Sequence, residues 1–162
     1  MSYPEPRYLA ETGQASATYR PVSSPADLLL GSTRIDHLAT GGSTDGAYGL
    51  FRYAMAGEPS GPGPHFHRTI SESFFVLSGT VRLYDGRGWV DATAGDFLHV
   101  PPGGIHAFRN DSGAPAEMLL LFTPGAPREA YFAALEDLRA EGRTLHGDER
   151  RAFLRAHDQY DA

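Results

Sequence analysis

His65, His67, Glu72 and His106 carry the most chemistry in this chain. The first two imidazoles are two residues apart, so on an extended strand both project from one face. Glu72 follows past a short turn, at the head of the apolar run Ser73-Phe74-Phe75-Val76-Leu77. His106 comes much later, just after Pro101-Pro102-Gly103-Gly104. Three imidazoles and one carboxylate brought together make a site for one divalent first-row metal: Fe, Mn, Ni, Co, Cu or Zn. Mg and Ca prefer shells made wholly of oxygen.

Composition removes the main alternatives. The chain has no cysteine, which excludes disulfides, thiolate nucleophiles, iron–sulfur clusters and Cys-type zinc sites. It has no lysine either, since all 14 basic residues are arginine, and this excludes Schiff-base and pyridoxal-phosphate chemistry. If the protein is an enzyme, it works through a metal, carboxylates or imidazoles. A net charge of −6 argues against a nucleic-acid or anionic-membrane partner. No run of 18 apolar residues occurs, and Met1 to Ala10 lacks a basic-then-apolar leader, so a cytoplasmic protein is expected.

The elements that must position the four side chains are short strands. Residues 1–30, broken by Pro4, Pro6, Pro21 and Pro25, read as an extended arm. Strand-like segments follow at Ser32 to Leu38 and Tyr48 to Met55, then a Gly- and Pro-rich stretch from Gly57 to Pro64. Further strands are predicted at Phe74 to Leu77, Thr80 to Tyr84, Trp89 to Asp91, Phe97 to Val100, Ile105 to Arg109 and Glu117 to Phe122. Alternation puts Glu72, Phe74 and Val76 on one face and Phe75 and Leu77 on the other. No βα alternation appears, so an all-β fold, closed or sandwiched, is expected over 31–125. Residues 126–162 change character. Pro127 sits as an N1 proline, Glu129 in the first turn, and Tyr131, Leu135 and Leu138 recur at helical spacing before Gly142, the C′ stop. A second helix is expected around Asp148 to Ala156.

At this point the spacing resembles a known family, the cupins. His65-Phe66-His67, Glu72 and Gly79 fit the first cupin motif; Gly95, Pro101, Gly103, His106 and Asn110 fit the second. Fifteen residues separate Gly79 from Gly95, similar to the short intermotif of microbial single-domain cupins. One departure is visible: the glycine expected six residues before the first histidine is Pro59, with Gly61 and Gly63 nearby. The resemblance covers about residues 46 to 124. It implies a double-stranded β-helix (jelly-roll barrel) with His65, His67, Glu72 and His106 as metal ligands, leaving one or two positions open.

The stretches Gly95-Asp96-Phe97, Val100-Pro101 and His106-Ala107-Phe108-Arg109 resemble quercetinase-type, flavonol-oxidising cupins, as does a helix with Phe132 and Leu135 after the barrel. This implies a metal-dependent dioxygenase acting on a small aromatic or enediol substrate. The alternatives are a non-oxidative metal cupin (isomerase, cyclase or lyase) and a non-catalytic small-molecule- or metal-binding cupin. For Glu72 two roles are open, permanent ligand or general base towards a substrate hydroxyl. His99, His37, His146 and His157 read as surface or packing residues. Arg52, Arg82 and Arg109 suit outer strand faces better than a cavity. Phe74, Phe97 and Phe108 are candidates for an apolar pocket wall. The C-terminal helices either pack outside the barrel or close its mouth with Tyr131 or Phe132. An open sheet edge makes a homodimer the default, with the N-terminal arm on the partner's edge.

Overall fold

The computed structural model describes residues 2–162 and contains eleven strands and two helices. In chain order the strands are β1 (Leu28–Leu30), β2 (Thr33–Ala39), β3 (Gly49–Met55), β4 (His65–Phe66), β5 (Ser71–Ser78), β6 (Thr80–Tyr84), β7 (Trp89–Thr93), β8 (Phe97–Val100), β9 (Ala107–Arg109) and β10 (Ala116–Thr123). The helices α1 (Arg128–Ala140) and α2 (Gly147–Ala156) precede the last strand, β11 (Tyr160–Asp161). All pairings are antiparallel. A six-stranded sheet runs β1-β2-β3-β10-β5-β8; opposite it lie a three-stranded sheet, β7-β6-β9, and the short pair β11-β4. The fold is the all-β double-stranded β-helix that the sequence predicts.

The period-2 pattern decides which face is inside. On β3 and β10 buried residues alternate without a break, and Phe51, Tyr53 and Met55 meet Met118, Leu120 and Phe122 in the core. On β5, Glu72, Phe74 and Val76 are buried while Phe75 and Leu77 are exposed, as alternation requires. Edge-to-face contacts among Phe51, Phe122 and Phe132 tie the core to α1. The largest contributors are rings, so truncating one, Phe74→Ala for instance, costs about 3–5 kcal/mol.

Two glycines are dictated by close approach. Gly79 turns β5 into β6 with φ +71°, and a Cβ there would lie 2.4 Å from the Pro115 carbonyl oxygen. Gly61, φ +118°, lies so close to β9 that a Cβ would sit 2.1 Å from the Phe108 oxygen. Beside it, Ser60 pairs with Asn110 in an isolated bridge. With Pro59 in the glycine's usual place, Gly61 is the residue that permits the approach.

The ends differ in detail from expectation. The arm's first residue, Met1, lies outside the described residues; 2–27 form no strand or helix, whereas Leu28–Leu30 pair with β2. Pro127 is the N-cap of α1 rather than its N1 residue, because Arg128 is the first helical residue. Gly142 (φ +64°) is the C′ stop, with its N–H on the Arg139 carbonyl and that of Arg143 on Leu138. Strand β11 has no counterpart in the sequence pattern; it is two residues long and pairs with β4.

Candidate metal centre

The four motif side chains converge. One donor atom from each of His65, His67, Glu72 and His106 can be chosen so that all lie within 4.8 Å of one another, and all four residues are buried. They come from separate segments. His65 lies on β4 and exchanges two backbone hydrogen bonds of 2.9 Å with His106, so these residues sit directly opposite each other. His67 follows β4, and its carbonyl accepts the Gly103 N–H at 2.7 Å, which ties the Pro101–Gly104 bend to the same place. Glu72 enters from β5, opposite Val100 of β8 and Phe122 of β10. Phe66, between the two histidines, points the other way and stacks on Tyr160.

Hydrogen bonds set the tautomer of all three rings. Nδ1 of His65 meets the Gly63 carbonyl at 2.9 Å, that of His67 the Asp158 carbonyl at 2.6 Å, and that of His106 the Gly104 carbonyl at 3.0 Å. A carbonyl only accepts, so each Nδ1 carries the proton and each Nε2 is left as the donor towards the centre. Nε2 of His67 and of His106 lie 3.1 and 3.0 Å from Oε2 of Glu72. Lone pairs facing a carboxylate in a buried site repel unless a cation, a proton or a metal ion, stands among them. A metal with bonds of about 2.0–2.2 Å holds adjacent donors roughly 3 Å apart. The donor set therefore fits a first-row divalent ion.

The protonation tendencies point the same way. Burial, aided by His106, pushes His65 down to about 4, so it is a neutral imidazole at neutral pH. Burial opposes the charged form of Glu72, yet the close contacts of its Oε2 with His106 and His67 outweigh it and hold the carboxyl well below the usual carboxylate range. Burial likewise opposes protonated His106, but the hydrogen bond and charge of Glu72 win and raise it.

A cavity of about 640 Å³ opens beside the cluster. His65 and Glu72 form its floor; Tyr53, Phe108, Leu120 and Phe122 form its barrel wall. Tyr131, Phe132, Leu135 and Leu138 of α1 cover it, so this helix closes the mouth of the barrel. Burial drives the Tyr53 hydroxyl up, which keeps it a neutral phenol at physiological pH.

Other candidates fall elsewhere. Phe97 is 63% exposed on β8 and takes no part in the pocket wall, because its position opposite Phe75 faces outward. His99 shares that outer face, with Nδ1 3.0 Å from Ser73 Oγ. Arg52 pairs with Glu117, Arg82 with Asp91 and Arg109 with Asp111, all outside the cavity. His37 packs edge-on to Phe51, and His157 lies between Tyr131 and Phe153. Two residues near the centre escaped the sequence reading. Asp158 contacts His67 from the far end of the chain, and Arg128, buried at the start of α1, lines the cavity. Nothing local in the sequence marks either one.

Residues 51–122 match the Cupin domain family. This part of the chain has the fold of a cupin domain. The matched stretch contains all of His65, His67, Glu72 and His106. Over 73 residues the chain is 33% identical to quercetin 2,3-dioxygenase of Bacillus subtilis, a match covering 45% of this chain and 21% of that protein. The chain thus aligns with about a fifth of that relative. Among solved structures, KdgF from Halomonas sp. superposes with a TM-score of 0.58 at 12% identity, covering 68% of this chain and 94% of that one. An RmlC-like cupin from Shewanella frigidimarina gives 0.58 at 17% identity, covering 72% and 96%. At such identities the two structures establish the fold alone.

Proposed function

We propose that His65, His67, Glu72 and His106 hold one divalent transition metal, and that the protein is a quercetinase-type dioxygenase acting on a small aromatic or enediol substrate. The observation that carries this reading is the cavity: it is largely apolar, of ligand size, and has Glu72 and His65 at its floor. The similarity to the Bacillus quercetin dioxygenase over the cupin domain supports it.

When bound, the metal would act as a Lewis acid towards a substrate oxygen and bring dioxygen and substrate together. The rest is the work of the chain. Both imidazole contacts to Glu72 fall on Oε2, which leaves Oε1 uncommitted among the described residues. Glu72 is ionised at neutral pH, so Oε1 can take the proton of a substrate hydroxyl. Tyr53, Phe108 and Phe132 form an aromatic wall that orients a flat ring and excludes water. The α1 cover keeps bulk solvent from the activated substrate.

The test loads the protein with each candidate metal in turn and follows oxygen uptake and loss of flavonol absorbance with quercetin and an enediol panel. Turnover that consumes oxygen in step with substrate supports the proposal. Product formed equally fast without oxygen overturns it in favour of a non-oxidative isomerase, cyclase or lyase.

A further inference from the structure

Arg128 is the odd member of the cavity. Four arginines line it, and three have a carboxylate of their own: Arg139 pairs with Glu136, Arg143 with Glu141 and Glu149, and Arg150 with Asp161. Arg128 makes no such ion pair with any described residue, although at 5% exposure it is the most buried of the four. Its one hydrogen bond runs from Nη1 to the His157 carbonyl at 3.0 Å, and Nε has no partner. The aromatic rings of Tyr131 and Phe122 lie 4.2 and 5.1 Å from the guanidinium carbon. They fix its position but accept nothing from its in-plane N–H groups. Nε is itself sealed from solvent, whereas Nη2, which bonds no described residue, is the member of the Nε–Nη2 edge open to an incoming carboxylate.

A buried, unpaired cation is costly, and a fold keeps one where a ligand completes it. The carboxylate that acts on it most strongly is that of Glu72, at the floor of the same cavity. Once Glu72 shares its charge with a metal, as the proposed function requires, Arg128 is left without compensation. We infer that Arg128 is a substrate-anchoring residue: the cavity takes a planar, largely apolar molecule bearing a carboxylate, which sits on Nη2 of this guanidinium while the opposite end of the molecule faces Glu72. This rests on the metal-cupin reading for the role of the site, and it narrows the substrate class from aromatic to aromatic acid.

Calorimetric titration with 2-naphthoate and its neutral isostere 2-naphthamide tests it on the full chain, with metal content measured in every sample. The wild-type protein is expected to prefer the acid by about tenfold or more, the worth of a charge-assisted pair. Arg128→Met should abolish the preference at unchanged metal content, and Arg128→Lys, which keeps the charge but not the fork, should retain a reduced part of it. Should the methionine variant fail to fold by circular dichroism, the lysine variant decides: an undiminished preference for the acid overturns the inference. So does a preference that persists in Arg128→Met, since the anion then sits on another group. Because binding rather than turnover is read, failure of the dioxygenase reading leaves this result standing on its own.

Discussion

The main-chain carbonyl of Asp158 lies 2.6 Å from Nδ1 of His67, a residue 91 positions earlier in the chain. The same aspartate accepts the N–H groups of Arg68 and Thr69 at 3.0 and 2.9 Å and the Thr69 hydroxyl at 2.6 Å. One residue after α2 thus clamps both the ring and the following backbone of a candidate ligand, and β11 continues the clamp along β4. A ligand histidine held through its other nitrogen is better oriented and more basic, which is why such partners matter almost as much as ligands.

Asp158→Ala removes the side-chain half of this clamp and loosens the carbonyl that orients His67. Metal affinity is expected to fall about 10- to 100-fold with the stoichiometry still one per chain, because all four donors remain. Competition titration against a chromophoric chelator measures this. An unchanged affinity would show that the C-terminal segment merely packs against the barrel.

The four donors were legible because their constraints are local. A strand period of two aligns His65 with His67 and Glu72 with Phe74, and glycines at 79, 95 and 103 announce turns that adopt positive φ at 71, 96 and 82°. The partners of those donors were not legible. Asp158 and Arg128 reach the site through the packing of α1 and α2 across the barrel mouth, and no periodicity encodes which residue of a helix start meets a cavity. Phe97 went astray for a related reason: alternation fixes that Phe97 and His99 share a face, but which face depends on the pairing of β8 with β5.

Asn110, the last residue of the second motif, has a structural explanation. It is fully buried; its Nδ2 donates to the carbonyls of Ala56 and Ala114 at 2.9 and 2.7 Å, and its Oδ1 accepts the N–H and hydroxyl of Ser112 at 3.1 and 2.7 Å. Asn110→Ala orphans these groups at once, for a cost on the order of 3 kcal/mol. In a chain of this length the melting temperature should fall by roughly 6–12 °C, with metal stoichiometry unchanged. Loss of metal at full thermal stability would contradict this division of labour.

Glu72→Gln and His106→Ala separate charge from ligation. The glutamine preserves shape and can donate to an imidazole Nε2, so the barrel should fold and still bind metal through three histidines, at least about tenfold more weakly. Oxygen uptake with flavonol should disappear, because the proton acceptor is gone. His106→Ala should lose the metal altogether while far-UV circular dichroism keeps its β signature. Full metal occupancy in the alanine variant would remove His106 from the centre, and undiminished oxygen uptake in the glutamine variant would remove Glu72 from proton transfer.

Metal uptake by the stripped protein should release a proton. At neutral pH His65 is already neutral, since burial pushes it down to about 4, and it contributes none. Glu72 is ionised and raises His106 above its ordinary value, so the proton lodged between them is the one a metal must displace. A raised group holds its proton to higher pH, and the competition therefore strengthens as pH falls. Apparent metal affinity should weaken as the pH falls from neutral, by up to about tenfold per pH unit for each proton released. Calorimetry in buffers of different ionisation enthalpy counts that proton directly. A count of zero, together with an affinity that stays flat over the same interval, would mean that His106 faces the centre as a free base and that the carboxylate holds no proton beside it.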